Sequence, residues 1–127
     1  MPSRSKDWLR QAVRDLEHAG NARAAGHHEW ACFASHQAAE KALKAVLQSQ
    51  GKDALGHALA VPLAECAAKP PADLVRRAKS LDKHYIPARY PNGLPAGAPM
   101  DFYTDAEAKK AVTDADAIVR WCQGLLP

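Results

Sequence analysis

An all-α fold is what this sequence predicts, and three observations predict it. Apolar residues make up 47% of the 127 positions but aromatics only 6%, so alanine must carry much of the interior. That suits close-packed helices and not a sheet, which needs β-branched and aromatic side chains to fill its faces. Apolar positions recur at helical spacing through several segments, and glycine or proline stands at their ends. A chain of this length holds one core, so residues 1–127 are expected to form a single domain.

The elements follow in order. Asp7 to Ala25 places Leu9, Ala12, Val13, Leu16 and Ala19 on one stripe, and Gly26 stands where a left-handed residue would end the helix. A second helix runs from about Glu29 to Ser49 and is closed by Gly51. At about 100° per residue its Trp30, Phe33, Gln37, Glu40, Lys41, Lys44 and Gln48 share one arc, and nearly everything else is Ala, Leu, Val, Cys, Ser or His. An apolar surface that wide predicts a central helix touching several neighbours or a second subunit. His36 lies at the edge of that surface, as a hydrogen-bonded core or interface residue.

A short helical piece is expected between Gly56 and Ala68, with Pro62 in its first turn, where a missing N–H does little harm. Pro70-Pro71 then opens a helix carrying Leu74, Val75, Ala78, Leu81 and Tyr85. It should stop near His84 or Tyr85, because Pro87 disfavours helical geometry at Ile86. Ile86 to Phe102 holds four prolines and two glycines, which makes it too long and irregular for an ordinary connector, so it is functional or packed across a surface. Thr104 to Glu107 spells a capping box. Ala108, Ala111, Val112, Ala115, Ile118, Val119 and Cys122 stripe the final helix, which Gly124 is expected to end.

Charge is concentrated in one place. From Lys69 to Tyr90, Lys69, Arg76, Arg77, Lys79, Lys83 and Arg89 stand against only Asp73 and Asp82, while the whole chain carries just +3. Positive charge beside Tyr85 and Tyr90 suits phosphate attraction plus base stacking. The plainer reading is a solvated helix face followed by a packed turn. Arg89, between the two tyrosines, is the best candidate for ligand binding, since a planar guanidinium offers bidentate contacts to phosphate. Its alternative role is to tie the proline-rich loop to a helix carboxylate such as Asp82. Lys41, with Gln37, Glu40 and Lys44, extends a cationic pocket if its face points toward Arg89; otherwise Glu40 and Lys44 are an ordinary i,i+4 pair. The candidate ligand set is therefore Arg89, Tyr85, Tyr90 and Lys41.

Other chemistries lack support. Cys32, Cys66 and Cys122 are odd in number, far apart and without CxxC spacing, so a disulfide framework or zinc site is not expected and a reducing cytoplasm is. The six histidines include no i,i+4 pair with a third ligand nearby, so neither metal nor cofactor is expected. There is no glycine-rich phosphate loop, no GxSxG and no paired-carboxylate motif. Met1 to Asp7 is polar, and no run reaches the roughly eighteen apolar residues of a membrane span, so secretion and membrane insertion are not expected.

Three pieces resemble the HEPN domain family of small helical proteins. Trp8, Ala12, Asp15, Leu16 and Ala19 match its opening helix. Trp30-Ala31-Cys32-Phe33-Ala34-Ser35-His36-Gln37-Ala38-Ala39-Glu40-Lys41-Ala42-Leu43-Lys44-Ala45 is similar to the family's aromatic-rich entry into a QAAEKALKA-type helix. Tyr85-Ile86-Pro87-Ala88-Arg89-Tyr90-Pro91 is similar to a Tyr-x-x-x-Arg-Tyr-Pro signature of the minimal, stand-alone branch. A weaker match is His57-Ala58-Leu59, where the family often has Ser or Thr, then His, an acidic residue and Leu.

The resemblance implies a four- to five-helix up-and-down bundle that commonly dimerises, often beside a minimal nucleotidyltransferase as a toxin–antitoxin pair. Many members are metal-independent ribonucleases, marked by an Arg followed after four to six residues by His. Arg77 and His84 have that spacing, and at about two helical turns apart they project from one face. His84 would take the proton of a ribose 2′-hydroxyl while Arg77 holds the scissile phosphate. Two features depart from the ribonuclease pattern: Ala78 stands where those members usually carry a polar residue, and the Tyr-x-x-x-Arg-Tyr-Pro branch often lacks the Arg and His pair. A nucleotide- or RNA-binding module using Arg89 is the first expectation, and the ribonuclease the second.

Overall fold

The computed structural model describes residues 3–53 and 56–127. Among the described residues there are six α-helices and no strand: α1 Ser5–Ala24, α2 His28–Ser49, α3 Ala60–Glu65, α4 Ala72–Asp82, α5 Pro99–Phe102 and α6 Asp105–Leu125. The expected all-α fold is what forms. Four long helices, α1, α2, α4 and α6, make the bundle, and the short α3 and α5 lie in the connections.

Helix α2 is central. It packs mainly on α1 and α6 and also meets α3, α4 and α5, which accounts for its wide apolar surface. Ala31, Cys32, Ala34, Ala38, Ala39, Ala42, Leu43, Ala45, Val46 and Leu47 are all buried. Ala12, Ala19 and Ala22 of α1 and Ala108, Ala111 and Ala115 of α6 are buried with them. Small side chains on all three helices let the backbones approach, while Leu43, Leu47, Leu81 and Ile118 fill the volume left between. Truncating one of these leucines to alanine would cost about 2–5 kcal/mol.

The helix ends are set locally. Gly26 and Gly51 adopt φ of 82° and 70°. Each builds a Schellman motif: Gly26 N–H donates to Arg23 O and His27 N–H to Ala22 O, as Gly51 does to Gln48 and Lys52 to Leu47. Only Ala25 to His27 separate α1 from α2, so the two form an antiparallel hairpin. At the start of α6, Thr104 Oγ1 accepts from Glu107 N–H and Glu107 Oε1 accepts from Thr104 N–H, both at 3.2 Å.

Some boundaries differ from expectation. Helix α4 ends at Asp82, before His84, and the chain tightens into i→i+3 turns with His84 N–H to Leu81 O at 3.0 Å. The helical ladder is thus abandoned well ahead of Pro87. Helix α6 runs through Gly124 to Leu125 and ends where Leu126 turns extended, because Gly124 does not take up a left-handed conformation. The proline-rich segment contains the 3₁₀ turn Pro91–Gly93 and α5, each begun by a proline at its first position. Gly97, at φ 76°, is required there, since a Cβ would lie 2.9 Å from the Phe102 ring. The three cysteines are free and buried, and burial pushes the Cys32 thiol up to about 12. No helix is long and apolar enough to cross a membrane, among the described residues.

Candidate nucleotide-binding site

The turn after α4 brings Tyr85 and Arg89 against the first half of α2. Arg89 Nε donates to the Tyr85 carbonyl at 2.8 Å, which directs the guanidinium back across the turn. Its central carbon lies 4.4 Å from the ring centre of Phe33, 4.6 Å from Tyr85 and 5.1 Å from Tyr90. Trp30 extends the cluster by meeting Phe33 edge-on at 6.2 Å. Among the described residues, no carboxylate lies within ion-pair distance of Arg89; Asp82 is engaged by His36 instead. Aromatic faces attract a cation and shield it from water, and among the described residues Nε alone makes an internal hydrogen bond. The two terminal nitrogens remain as a fork for an anion.

Asp82 is held by a different set of partners. It accepts from the backbone N–H of Leu59 at 2.7 Å and of Ala60 at 3.4 Å, at the start of α3, and its Oδ1 lies 3.2 Å from Nε2 of the fully buried His36. Burial pushes the Asp82 carboxyl up, but the hydrogen bonds from His36, Leu59 and Ala60 together outweigh it and hold the group below the usual carboxylate range. This residue therefore ties α2, α3 and α4 together beneath the site.

His57 lies nearly parallel to the Tyr85 ring, 4.7 Å between centres and 16° between planes. Its Nδ1 is 2.9 Å from Oε1 of Glu40, a carboxylate only 4% exposed, which also pairs with Lys44 at 3.4 Å. His36 approaches Tyr85 at 5.1 Å. Tyr85 is thus lined by His57, His36 and Arg89. Tyr90 and Trp30 are the most exposed aromatics of the cluster, 47% and 50% exposed. A small cavity of about 240 Å³ opens beside His57, Tyr85, Ile86 and Pro87.

Arg77 and His84 lie elsewhere, along the groove between α4 and α6. Arg77 donates from Nε to Asp73 and from Nη1 to Asp114, both at 2.8 Å. Asp114 is buried on α6 and also accepts from Lys110 at 2.7 Å. Arg77 is therefore a clamp between the two helices. His84 Nδ1 is 3.1 Å from the Tyr103 hydroxyl, and burial lowers its pKa below the ordinary 6.5. Ser80, Lys110 and Asp114 border the cavities at both residues.

Of the sequence-predicted ligand set, the fold brings Arg89, Tyr85 and Tyr90 together. Lys41 is not with them: its ammonium sits 2.6 Å from Asp15 Oδ2, on the seam between α1 and α2. Phe33 and His57 stand beside Tyr85 and Arg89 although sequence reasoning did not assign them there, and Glu40 joins them through His57 rather than through a cationic face with Lys41. Phe33 carried a signal, as an aromatic on the polar arc of an otherwise alanine-rich helix. The pairing of Glu40 with His57 has no local signature. No group of three His, Cys, Asp or Glu side chains is placed to hold a metal, among the described residues.

Comparison with known proteins adds to this geometry. A family model described as the HEPN domain matches residues 5–125. TT1696 from Thermus thermophilus superposes with a TM-score of 0.96 at 42% identity, over 98% of this chain and 100% of that one. ST0689, an archaeal HEPN homologue, gives 0.84 at 43% identity, covering 98% of both chains. An HEPN domain protein of Thermotoga maritima gives 0.77 at 38% identity, over 94% of this chain and 96% of that one. No curated protein matches the chain.

Proposed function

Because this chain belongs to the HEPN domain family, we propose that it is a nucleotide- or RNA-binding helical module whose binding site is the Arg89 cluster. In this reading it works in the cytoplasm as a homodimer, beside a nucleotidyltransferase-type partner in a toxin–antitoxin-type system. The observation that carries the binding site is the state of Arg89: a guanidinium over three aromatic rings, with no carboxylate to neutralise it among the described residues. A phosphate fits the fork, and a base fits the half-exposed faces of Tyr90 or Trp30. Exposed Val61, Ile86, Met100 and Phe102 support a covering partner or second copy. The test is fluorescence anisotropy with a labelled single-stranded RNA. Arg89→Ala should weaken binding at least tenfold; unchanged affinity would remove Arg89 from the site.

A metal-independent endoribonuclease using Arg77 and His84 is the second reading. What favours it is that the two residues border one groove, and that the lowered pKa of His84 keeps its imidazole neutral, as a proton acceptor must be. A substrate phosphate would have to draw Arg77 away from Asp73 and Asp114. Incubation with RNA in EDTA separates the readings: loss of cutting and of cyclic-phosphate ends in His84→Ala supports the enzyme, and equal cutting by variant and parent excludes His84 as the base.

A further inference from the structure

We propose that His57 reads the ribose 2′-hydroxyl of the nucleotide whose phosphate Arg89 holds, so that the site selects RNA over DNA. The inference rests on the Arg89 site proposed above. His57 has one ring nitrogen engaged and one available: Nδ1 lies 2.9 Å from Oε1 of Glu40, and Nε2 makes no hydrogen bond among the described residues. An ionised carboxylate can only accept, so in the neutral ring Glu40 selects the tautomer with hydrogen on Nδ1 and leaves a lone pair on Nε2. Glu40 is 4% exposed whereas the His57 side chain is 53% exposed. The end of the ring away from the buried carboxylate is therefore the end a ligand reaches.

The ring is also held in place. It stacks on Tyr85 at 4.7 Å and 16°, and Tyr85 carries the Arg89 guanidinium 4.6 Å from the same ring centre. An anion fork and a hydrogen-bond acceptor thus contact the same tyrosine ring, which brings a phosphate site and a sugar-hydroxyl site next to each other. The acceptor cannot serve a second phosphate, whose ionised oxygens have no proton to give and would face the Glu40 charge behind the imidazole. A sugar hydroxyl has the proton required. Deoxyribose presents a C–H at that position, and the 2′-hydroxyl is the group by which a protein tells RNA from DNA.

The experiment compares three single strands of one sequence, with ribose, deoxyribose and 2′-fluoro-ribose sugars, by fluorescence anisotropy at neutral pH. The fluoro strand keeps the sugar pucker of RNA but lacks the donor. The parent protein should bind the ribose strand about three- to tenfold more tightly than either of the others, the range of one net hydrogen bond. His57→Phe keeps an aromatic ring on Tyr85 and should erase that gap; His57→Ala should erase it as well. A gap that persists in both variants overturns the role of His57, as does a fluoro strand that binds like the ribose one. If Arg89→Ala weakens all three strands equally, the site stands independently of how His57 behaves. If Arg89→Ala leaves all three unchanged, the site itself falls, and the reading of His57 with it.

Discussion

Arg77 and Arg89 belong to the same basic segment, yet the fold treats them in opposite ways. Arg77 lies on α4 facing α6 and meets Asp73 and Asp114 at 2.8 Å each. Arg89 lies past the end of α4 and meets aromatic rings and a carbonyl. The first charge is neutralised and holds helices together; the second has no carboxylate partner among the described residues. Formal charge alone is therefore a poor guide to where an anion binds, and the count of carboxylates within reach is a better one.

The sharpest test of that contrast is to remove each arginine in turn and measure single-stranded RNA affinity. Arg89→Ala should lower it by about ten- to a hundredfold, the range expected for losing a charged hydrogen-bond fork, while Arg77→Ala should change it less than about threefold. The reverse order would move the site to the α4–α6 groove.

Stability sharpens the comparison from the other side. Asp82→Ala strips the acceptor from His36 and from two backbone N–H groups, and should destabilise by about 2–4 kcal/mol in a denaturant titration. Arg77→Ala leaves the buried Asp114 with Lys110 as its remaining cation, and should cost about 1–2 kcal/mol, discounted for the partial exposure of Arg77. If Arg77→Ala melted like the parent, the clamp would be ornamental and the groove open to ligand.

Acid should act in two stages. His84 has a folded pKa below its ordinary 6.5, so the unfolded chain takes up the proton first and stability falls as pH drops below that value. Asp82 is also depressed, from 3.8, so its contribution is complete above that value and is lost as pH falls through the lower folded one. Melting temperature against pH should show an early decline that His84→Gln flattens, and a later one that Asp82→Asn reduces, Asp73 and Asp105 being depressed as well. The smallest expected effect is at Lys41. Its pairing with Asp15 predicts that Lys41→Ala alters RNA affinity less than about twofold and stability by less than about 1 kcal/mol.

Much of the fold was legible because its causes are local. The central position of α2 follows from the width of its apolar surface, and Gly26, Gly51 and Thr104 mark ends that the structure builds at those positions. The ends of α4 and α6 were less legible. The chain leaves the α4 helix earlier than the steric reach of Pro87 requires, and Gly124 tolerates a helix as readily as it ends one. In the site, Arg89, Tyr85 and Tyr90 were readable as neighbours within a single turn. Lys41 was misleading because a position on a helix wheel gives a face but not the identity of the helix packed against it.

What the sequence determined by itself is the helical class, the alanine-rich spine and the basic segment with its aromatic turn, since periodicity, capping and composition all act within a few residues. The tertiary structure alone decided that Arg77 meets carboxylates while Arg89 meets none among the described residues. Asp114 reaches Arg77 from α6, Asp82 is drawn to His36 and the start of α3, and Glu40 orients His57 from within α2. Each pairing joins residues far apart in the chain, and an ion pair depends on distances of a few ångströms that only the packing of whole helices can set.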